Sequence, residues 1–489
     1  MNFKHQPGTY DKSWIAVVLS LILSIWVVAN DDLINPDGIL YLESARLFLE
    51  QGLEASYQHY YWPFYPILIA LLSQVTSTSL ELSAHLVNGF FAGLLTYSYV
   101  RCAEELGGKQ NVIIAAAVIL LLNISLNDYR DLIVRDMGYW ACLFTSLWLV
   151  LRYKRTNDHR LGLLAGVMLI LASLFRIEGI VFLALAPILF LWRSSDLKRD
   201  ITRILIILCI PFIGVVILLT QTGLVDTLLD GRLGEPLSFM REAQLSLLWS
   251  GEASDSVSFS FIMALLLTKS LKATGLLQFC LACWALTSQQ IRSQIQNLHF
   301  VSGFVFINVA ILFIFIAALQ FLSTRYAIPL GLLLGLPAAF ALAHLFEIPS
   351  ITNKIKWLRI TVIVLLVYHL LDSLISLSGD KSHILKAGNW VQENVSADMR
   401  IASNNSYMHY LSGRPVTLSV RDTAIQLNAN TKAAQVPKLQ PDNYDFVIFS
   451  INRKRIGYDE LLINWLGKQP VERFENARGD KVLIFRTAK

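Results

Sequence analysis

The sequence predicts a polytopic α-helical membrane protein with a small α/β domain at its C-terminal end. Three observations lead there. Hydrophobic residues make up 54% of the 489 positions and charged ones only 16%, which is more apolar than a soluble core requires. Apolar runs close to the ~20 residues that cross ~30 Å of hydrocarbon recur from Trp14 to about Leu377. Beyond about residue 380 those runs stop, and short helical and extended patterns replace them.

Eleven spans are predicted, at about 14–30, 81–100, 111–126, 137–152, 161–175, 178–192, 203–221, 272–289, 300–320, 326–346 and 359–377. The first follows Lys4 and Lys12 as a signal peptide would, but it is too long and lacks a small-x-small cleavage site, so a retained anchor is expected. With the N-terminus inside, the basic turns at 101–109, 152–160, 193–203, Arg292 and 354–359 are cytoplasmic, as the positive-inside rule requires. Outside then lie the acidic 31–54 loop, 127–136, the Phe175 to Glu178 turn, 224–256, Ser323 to Arg325 and the soluble tail. Phe64 to Val75 and Phe259 to Leu267 are too short to cross and are expected in the interface. Counting the former as a span would send the basic 152–160 turn outside. The division expected is a membrane domain at 1–379, with juxtamembrane helices in its first outer loop (31–80), and an exported domain at 380–489.

Within that loop, Asp37 to Gly52 has the spacing of an amphipathic helix. Ile39, Leu40, Leu42, Leu47 and Leu49 form its apolar face, Glu43, Arg46 and Glu50 its polar one, and Gly52 the stop. The passage Tyr57 to Pro66 is aromatic and broken by proline, fitting either an interfacial belt or a wall for a sugar built from His59, Tyr61 and Trp62. In the tail, 383–394, 407–412 and 459–466 are expected as helices, and 400–403, 446–451 and 482–486 as strands. Asn404, Asn405, Tyr407, His409 and Arg414 are polar there and suit either contact with an acceptor or, the better fit, a solvated surface. All five cysteines fall in or beside predicted spans, so no disulfide framework is implied; Cys280 and Cys283 suit packing.

Charge placement is the functional signal. A formal charge of +5 is small for this length and offers nothing to a nucleic acid, but the predicted outer membrane edge gathers Asp37, Asp128, Asp131, Asp136 and Glu178 with Arg130, Arg135, Arg176 and Arg325. The arginines either neutralise these acids or present a planar donor fork to a phosphate. Tyr326 follows Arg325 and offers a hydroxyl; Tyr41 lies one helical turn beyond Asp37 on the same side. One His among aromatics, His59, does not make a zinc site.

The run Pro36-Asp37-x-x-x-Tyr41-x-Glu43-x-x-Arg46, the Pro-rich aromatic passage after it, Asp136 at an outer helix end, and a basic residue before Gly179 resemble the GT-C glycosyltransferases. The pattern is most similar to the bacterial polyprenyl-phosphate-sugar transferases that include the aminoarabinose transferase of lipid A and the protein mannosyltransferase relatives. That resemblance implies inverting transfer of a sugar from a polyprenyl-phosphate donor to a lipid, glycan or protein acceptor on the extracytoplasmic side of an inner membrane, with Asp37 in the place of the catalytic acid. Two departures bear on sugar and phosphate contacts: Trp62 stands before Pro63 where the aminoarabinose transferase pattern has Lys, and Arg176 is offset from Gly179 by two residues.

The chemistry agrees with the residues. A lipid phosphate leaves without protonation, so Arg135, Arg176 and Arg325 need only stabilise its charge, while Asp37 takes the acceptor proton. Asp136 would orient Asp37's partner or the acceptor or, with Asp37, bind a divalent cation, which is optional; no other cofactor is required. An O-antigen-type polymerase or ligase, or a lipid-linked sugar transporter, is the alternative. The former would favour a large loop between late spans, and the latter polar or broken spans near the midplane.

Overall fold

The computed structural model describes residues 13–31, 33–192, 194–220, 254–319, 321–349, 353–375, 381–414 and 440–487. In chain order the helices are α1 (Ser13–Ala29), α2 (Pro36–Gln51), α3 (Leu53–His59), α4 (Phe64–Thr76), α5 (Leu80–Glu105), α6 (Gln110–Leu121), α7 (Ile124–Asn127), α8 (Asp136–Thr156), α9 (His159–Phe175), α10 (Glu178–Leu185) and α11 (Leu197–Thr220). After them come α12 (Ser254–Thr274), α13 (Leu276–Thr287), α14 (Gln289–Arg292), α15 (Leu298–Leu319), α16 (Thr324–Glu347), α17 (Asn353–Leu374), α18 (Ser382–Asn394), α19 (Tyr407–Leu411) and α20 (Tyr458–Leu466). The strands are β1 (Ile401–Ser403), β2 (Phe446–Ile451), β3 (Glu472–Glu475) and β4 (Lys481–Arg486). The expected anchor residues Lys4 and Lys12 and most of the expected 224–256 loop lie outside the described residues.

The chain divides into two compact units, one of Met1–Val28 with His85–Ile375 and one of Ala29–Ala84 with Ser376–Lys489. In the first, α8 and α16 are central: α8 is buried along nearly its whole length, and 89% of the apolar window of α16 is buried against 17% for α17. The exposed side of α17 is apolar, with Trp357, Ile360, Val364 and Leu371 all outward. A bilayer, unlike water, covers such a face without cost.

Among the described residues α15, α16 and α17 are long and apolar enough to cross a membrane, and two helix pairs pass the same test as broken spans, α4 with α5 and Phe259–Thr274 with α13. Shorter apolar helices include α1, α6 and α9. The expected span at 272–289 is corrected: the helix breaks at Gly275, bending by 98°, because Gly275 adopts φ +80°, a conformation that L side chains rarely accept. The carbonyls freed by the break find partners within the protein. Asn123 Nδ2 donates to the Ala273 oxygen at 3.2 Å and Ser125 Oγ to the Lys272 oxygen at 2.9 Å. The 178–192 stretch also differs from one regular helix, tightening into a 3₁₀ turn at Pro187–Leu191.

In the second unit a four-stranded sheet has the order β1-β2-β4-β3, with β1 and β2 parallel and the other pairs antiparallel. Alternation along β2 sends Val447, Phe449 and Ile451 to one face, where Leu483 and Phe485 of β4 and Leu462 of α20 close a core. Phe446 points the other way and meets Trp390 of α18, ring centroids 6.3 Å apart. The expected tail elements are all present, and β3 was not expected. It alternates half-buried and exposed residues, Glu-Arg-Phe-Glu, so its charges hid a strand that pairs along one side only.

The same unit holds α2, α3 and α4. Pro36 at the first position starts α2, and Gly52 at φ +88° ends it. Its buried side carries Gly38, Ile39, Tyr41, Leu42, Ser44 and Ala45. Leu49, expected on the apolar face, is instead 42% exposed. The tail is fastened to the loop that precedes α2: Tyr407 Oη donates to the Ile34 carbonyl at 2.6 Å and Lys381 Nζ to that of Leu33 at 3.2 Å.

Candidate active site

In the first unit, four helix ends bring charged side chains to one small pocket. Asp136 stands in the first turn of α8, Arg176 in extended backbone between α9 and α10, Glu178 at the start of α10, and Arg325 and Tyr326 in the first turn of α16. With Asp136, Arg176, Glu178, Arg325 and Tyr326, the lining includes Tyr139, Trp140 and Asn308. Helix N-termini favour both carboxylates where they stand.

Arg176 organises this group. Its Nε donates to Glu178 Oε2 at 3.1 Å, its second terminal nitrogen to Glu178 Oε1, and its first to Asp136 Oδ1. The guanidinium is 5% exposed, so these bonds operate with little solvent screening. Below the plane lies the Tyr326 ring, its centroid 4.4 Å from Arg176 Cζ, and Arg325 Cζ is 5.2 Å from the same centroid. Two carboxylates thus balance two guanidiniums.

Why the chain turns so tightly here is visible at Gly179. A Cβ on that residue would lie 2.4 Å from the Ser173 backbone nitrogen, so only glycine lets α10 fold back on α9 with Arg176 and Glu178 side by side.

Of the residues expected to act, the structure brings together Asp136, Arg176, Glu178, Arg325 and Tyr326. Arg130 is buried elsewhere in the first unit. It donates to Ser20 and Ser24 of α1 and to Asn127, which holds α1 to the loop before α8. Arg135 sits at the N-cap of α8, outside the pocket lining. Asp37 and Tyr41 lie on α2 in the second unit, Asp37 half-buried in the first turn. Tyr41 is buried, meeting Tyr60 and Tyr65 edge to face at 5.3 Å each. His59 ends α3, Trp62 is partly buried, and Tyr61 is half exposed and packs on Tyr57 at 5.6 Å. Among the described residues no three His, Cys, Asp or Glu side chains gather as a cation site.

Tyr139, Trp140 and Asn308 escaped the sequence reading. Tyr139 had a signal, being one helical turn beyond Asp136; Asn308 had a stronger one, an amide in the middle of an apolar span.

No protein-family model and no curated protein sequence matches this chain. Solved structures do. ArnT from Cupriavidus metallidurans, in its apo state, aligns at a TM-score of 0.55 with 13% identity, over 98% of this chain and all of that one. The archaeal oligosaccharyltransferase AglB from Archaeoglobus fulgidus, solved with an inhibitory peptide and a dolichol-phosphate, aligns at 0.54 with 11% identity, over 96% of this chain and 74% of that one. The chain has the fold of the GT-C glycosyltransferases. The pocket belongs to the helical first unit, and the sheet to the second.

Proposed function

We propose that this protein is a membrane glycosyltransferase that moves a sugar from a polyprenyl-phosphate donor to an acceptor hydroxyl on the extracytoplasmic side, with inversion. The observation that carries the reading is the Arg176 lattice with Arg325 and Tyr326, in a chain whose fold is shared with an oligosaccharyltransferase solved with a dolichol-phosphate. Arg325 takes the lipid phosphate, and Tyr326 adds its hydroxyl. Arg176, already bonded to Asp136 and Glu178, fixes those carboxylates and the Tyr326 ring, so no reorganisation accompanies the build-up of charge on the leaving group. Arg135 contributes to the same field, its charge acting on Glu178.

The remaining roles rest on the sequence pattern. Asp37 accepts the proton of the acceptor hydroxyl as its oxygen bonds to the anomeric carbon; the bond from that carbon to the phosphate oxygen breaks, and the electron pair leaves with the polyprenyl phosphate. Tyr41 positions Asp37, and the aromatic passage at His59, Tyr61 and Trp62 receives sugar or acceptor. The eleven-span arrangement, a cytoplasmic N-terminus and an exported domain at 380–489 belong to the same reading. Comparing cell-envelope glycans by mass spectrometry in cells with and without the gene tests it. One sugar substituent should vanish on deletion, return with the wild-type chain and stay absent with Asp37→Asn. An unchanged glycan profile would remove the proposal.

A further inference from the structure

The pocket extends beneath its charged rim into the apolar part of the first unit. Asn308, Ile311, Leu312 and Phe315 line it from α15, and their spacing of three, four and seven residues places them on one helix face. From Phe315, which packs on Tyr326 with centroids 4.7 Å apart, to Asn308 is about two turns, ~10 Å along the axis. Asn308 is 2% exposed and Tyr139 is 3% exposed. Neither the Asn308 Oδ1 nor the Tyr139 Oη has a hydrogen-bond partner among the described residues. A buried amide oxygen or phenol left so is destabilising. Leucine and phenylalanine would serve α15 and α8 better.

We infer that Tyr139 and Asn308 form the sugar-hydroxyl subsite of the pocket, taking a ring hydroxyl of the donor below the phosphate held at the rim. The inference rests on the proposed glycosyltransferase reading. An acceptor oxygen on Asn308, in the same lining as a phenol that both donates and accepts, suits a hydroxyl, which donates to the one and accepts from the other. The donor's phosphodiester, ionised at neutral pH, has no proton to give Asn308 Oδ1, and an acyl chain satisfies neither group. Trp140, in the same lining, offers an aromatic side chain for the C–H side of the ring.

The test uses the full-length protein in nanodiscs, with undecaprenyl phosphate and with undecaprenyl phosphate bearing a single hexose or pentose as probes, and affinities from native mass spectrometry. Wild type should bind one loaded carrier roughly tenfold more tightly than the bare one. Asn308→Ala and Tyr139→Phe should each erase most of that preference and leave affinity for bare carrier within about twofold. In the absence of lipid, Asn308→Leu should melt at or above the wild-type temperature, where a structural amide would melt lower. A preference that survives Asn308→Ala, an equal loss toward bare carrier, or a lowered melting temperature of Asn308→Leu overturns the subsite and leaves the proposed activity standing. Wild type that binds bare carrier yet prefers no loaded one overturns the subsite too. Wild type that binds no carrier at all overturns both.

Discussion

The guanidinium of Arg176 lies 4.4 Å above the centroid of the Tyr326 ring while its edge is bonded to Asp136 and Glu178. Face and edge are both used, so this arginine is a fixed structural charge. Lysine, a compact point charge with three donors, cannot make the same set.

Removing that arginine should therefore do more than weaken binding. Arg176→Leu removes the bonded counter-charge of two buried carboxylates, which costs on the order of 3–5 kcal/mol, and the protein in detergent should melt well below wild type. Adding Asp136→Asn and Glu178→Gln to Arg176→Leu should recover much of the stability without restoring transfer. Thermal unfolding with a parallel transfer assay checks both halves; a triple variant as unstable as the single one would mean the ion pairs are not the cause.

At Gly179 the relevant quantity is space. Gly179→Ala must push α10 away from the α9 backbone, which offers no flexible side chain to yield. The expected result is loss of transfer by at least tenfold together with a lowered melting temperature, whereas alanine at exposed Gly413, where nothing lies within 4 Å but φ is +69°, should cost only the ~1 kcal/mol of a strained backbone.

In the C-terminal part, His409 is buried, its Nδ1 without a partner among the described residues, and burial pulls its pKa from 6.5 down to about 4. The unfolded chain binds the proton first, so the stabilisation is fully present above about pH 6.5 and is lost as pH falls from there toward 4. The loss amounts to at most about 3 kcal/mol. Hydrogen exchange of the sheet residues between pH 7 and 4 should show it for wild type, and His409→Phe should flatten the dependence.

Orientation is open to direct labelling. Ile456 is 94% exposed, and in a cysteine-free background Ile456→Cys should react with a membrane-impermeant maleimide in cells whose outer barrier alone is permeabilised. Labelling only after the inner membrane is broken would reverse the proposed topology.

How much could be read from the sequence follows the physics of each element. Period-two alternation at 446–451 was legible because a local pattern carries it, while the apolar face of α2 was legible only at Ile39 and Leu42; the gathering of Asp136, Arg176, Glu178, Arg325 and Tyr326 at one pocket could be read because charges at helix ends in an apolar chain stand out. Gly275 was not, because a break whose carbonyls are satisfied by Asn123 and Ser125 depends on residues some 150 positions away. Arg130 looked like its neighbours in sequence, and only packing shows it bonded to Ser20 and Ser24. Asn308 was overlooked inside a span judged by its hydropathy as a whole.

Release of bare carrier tests sugar transfer by this protein most directly. Purified protein in nanodiscs would be incubated with undecaprenyl phosphate-linked hexoses and pentoses plus envelope extract as acceptor, and free undecaprenyl phosphate quantified against sugar transferred. Equal amounts of both are expected with wild type and, with Asp37→Asn, a fall of at least about a hundredfold. No release of carrier from any donor, or release at the wild-type rate by Asp37→Asn, would contradict the proposal.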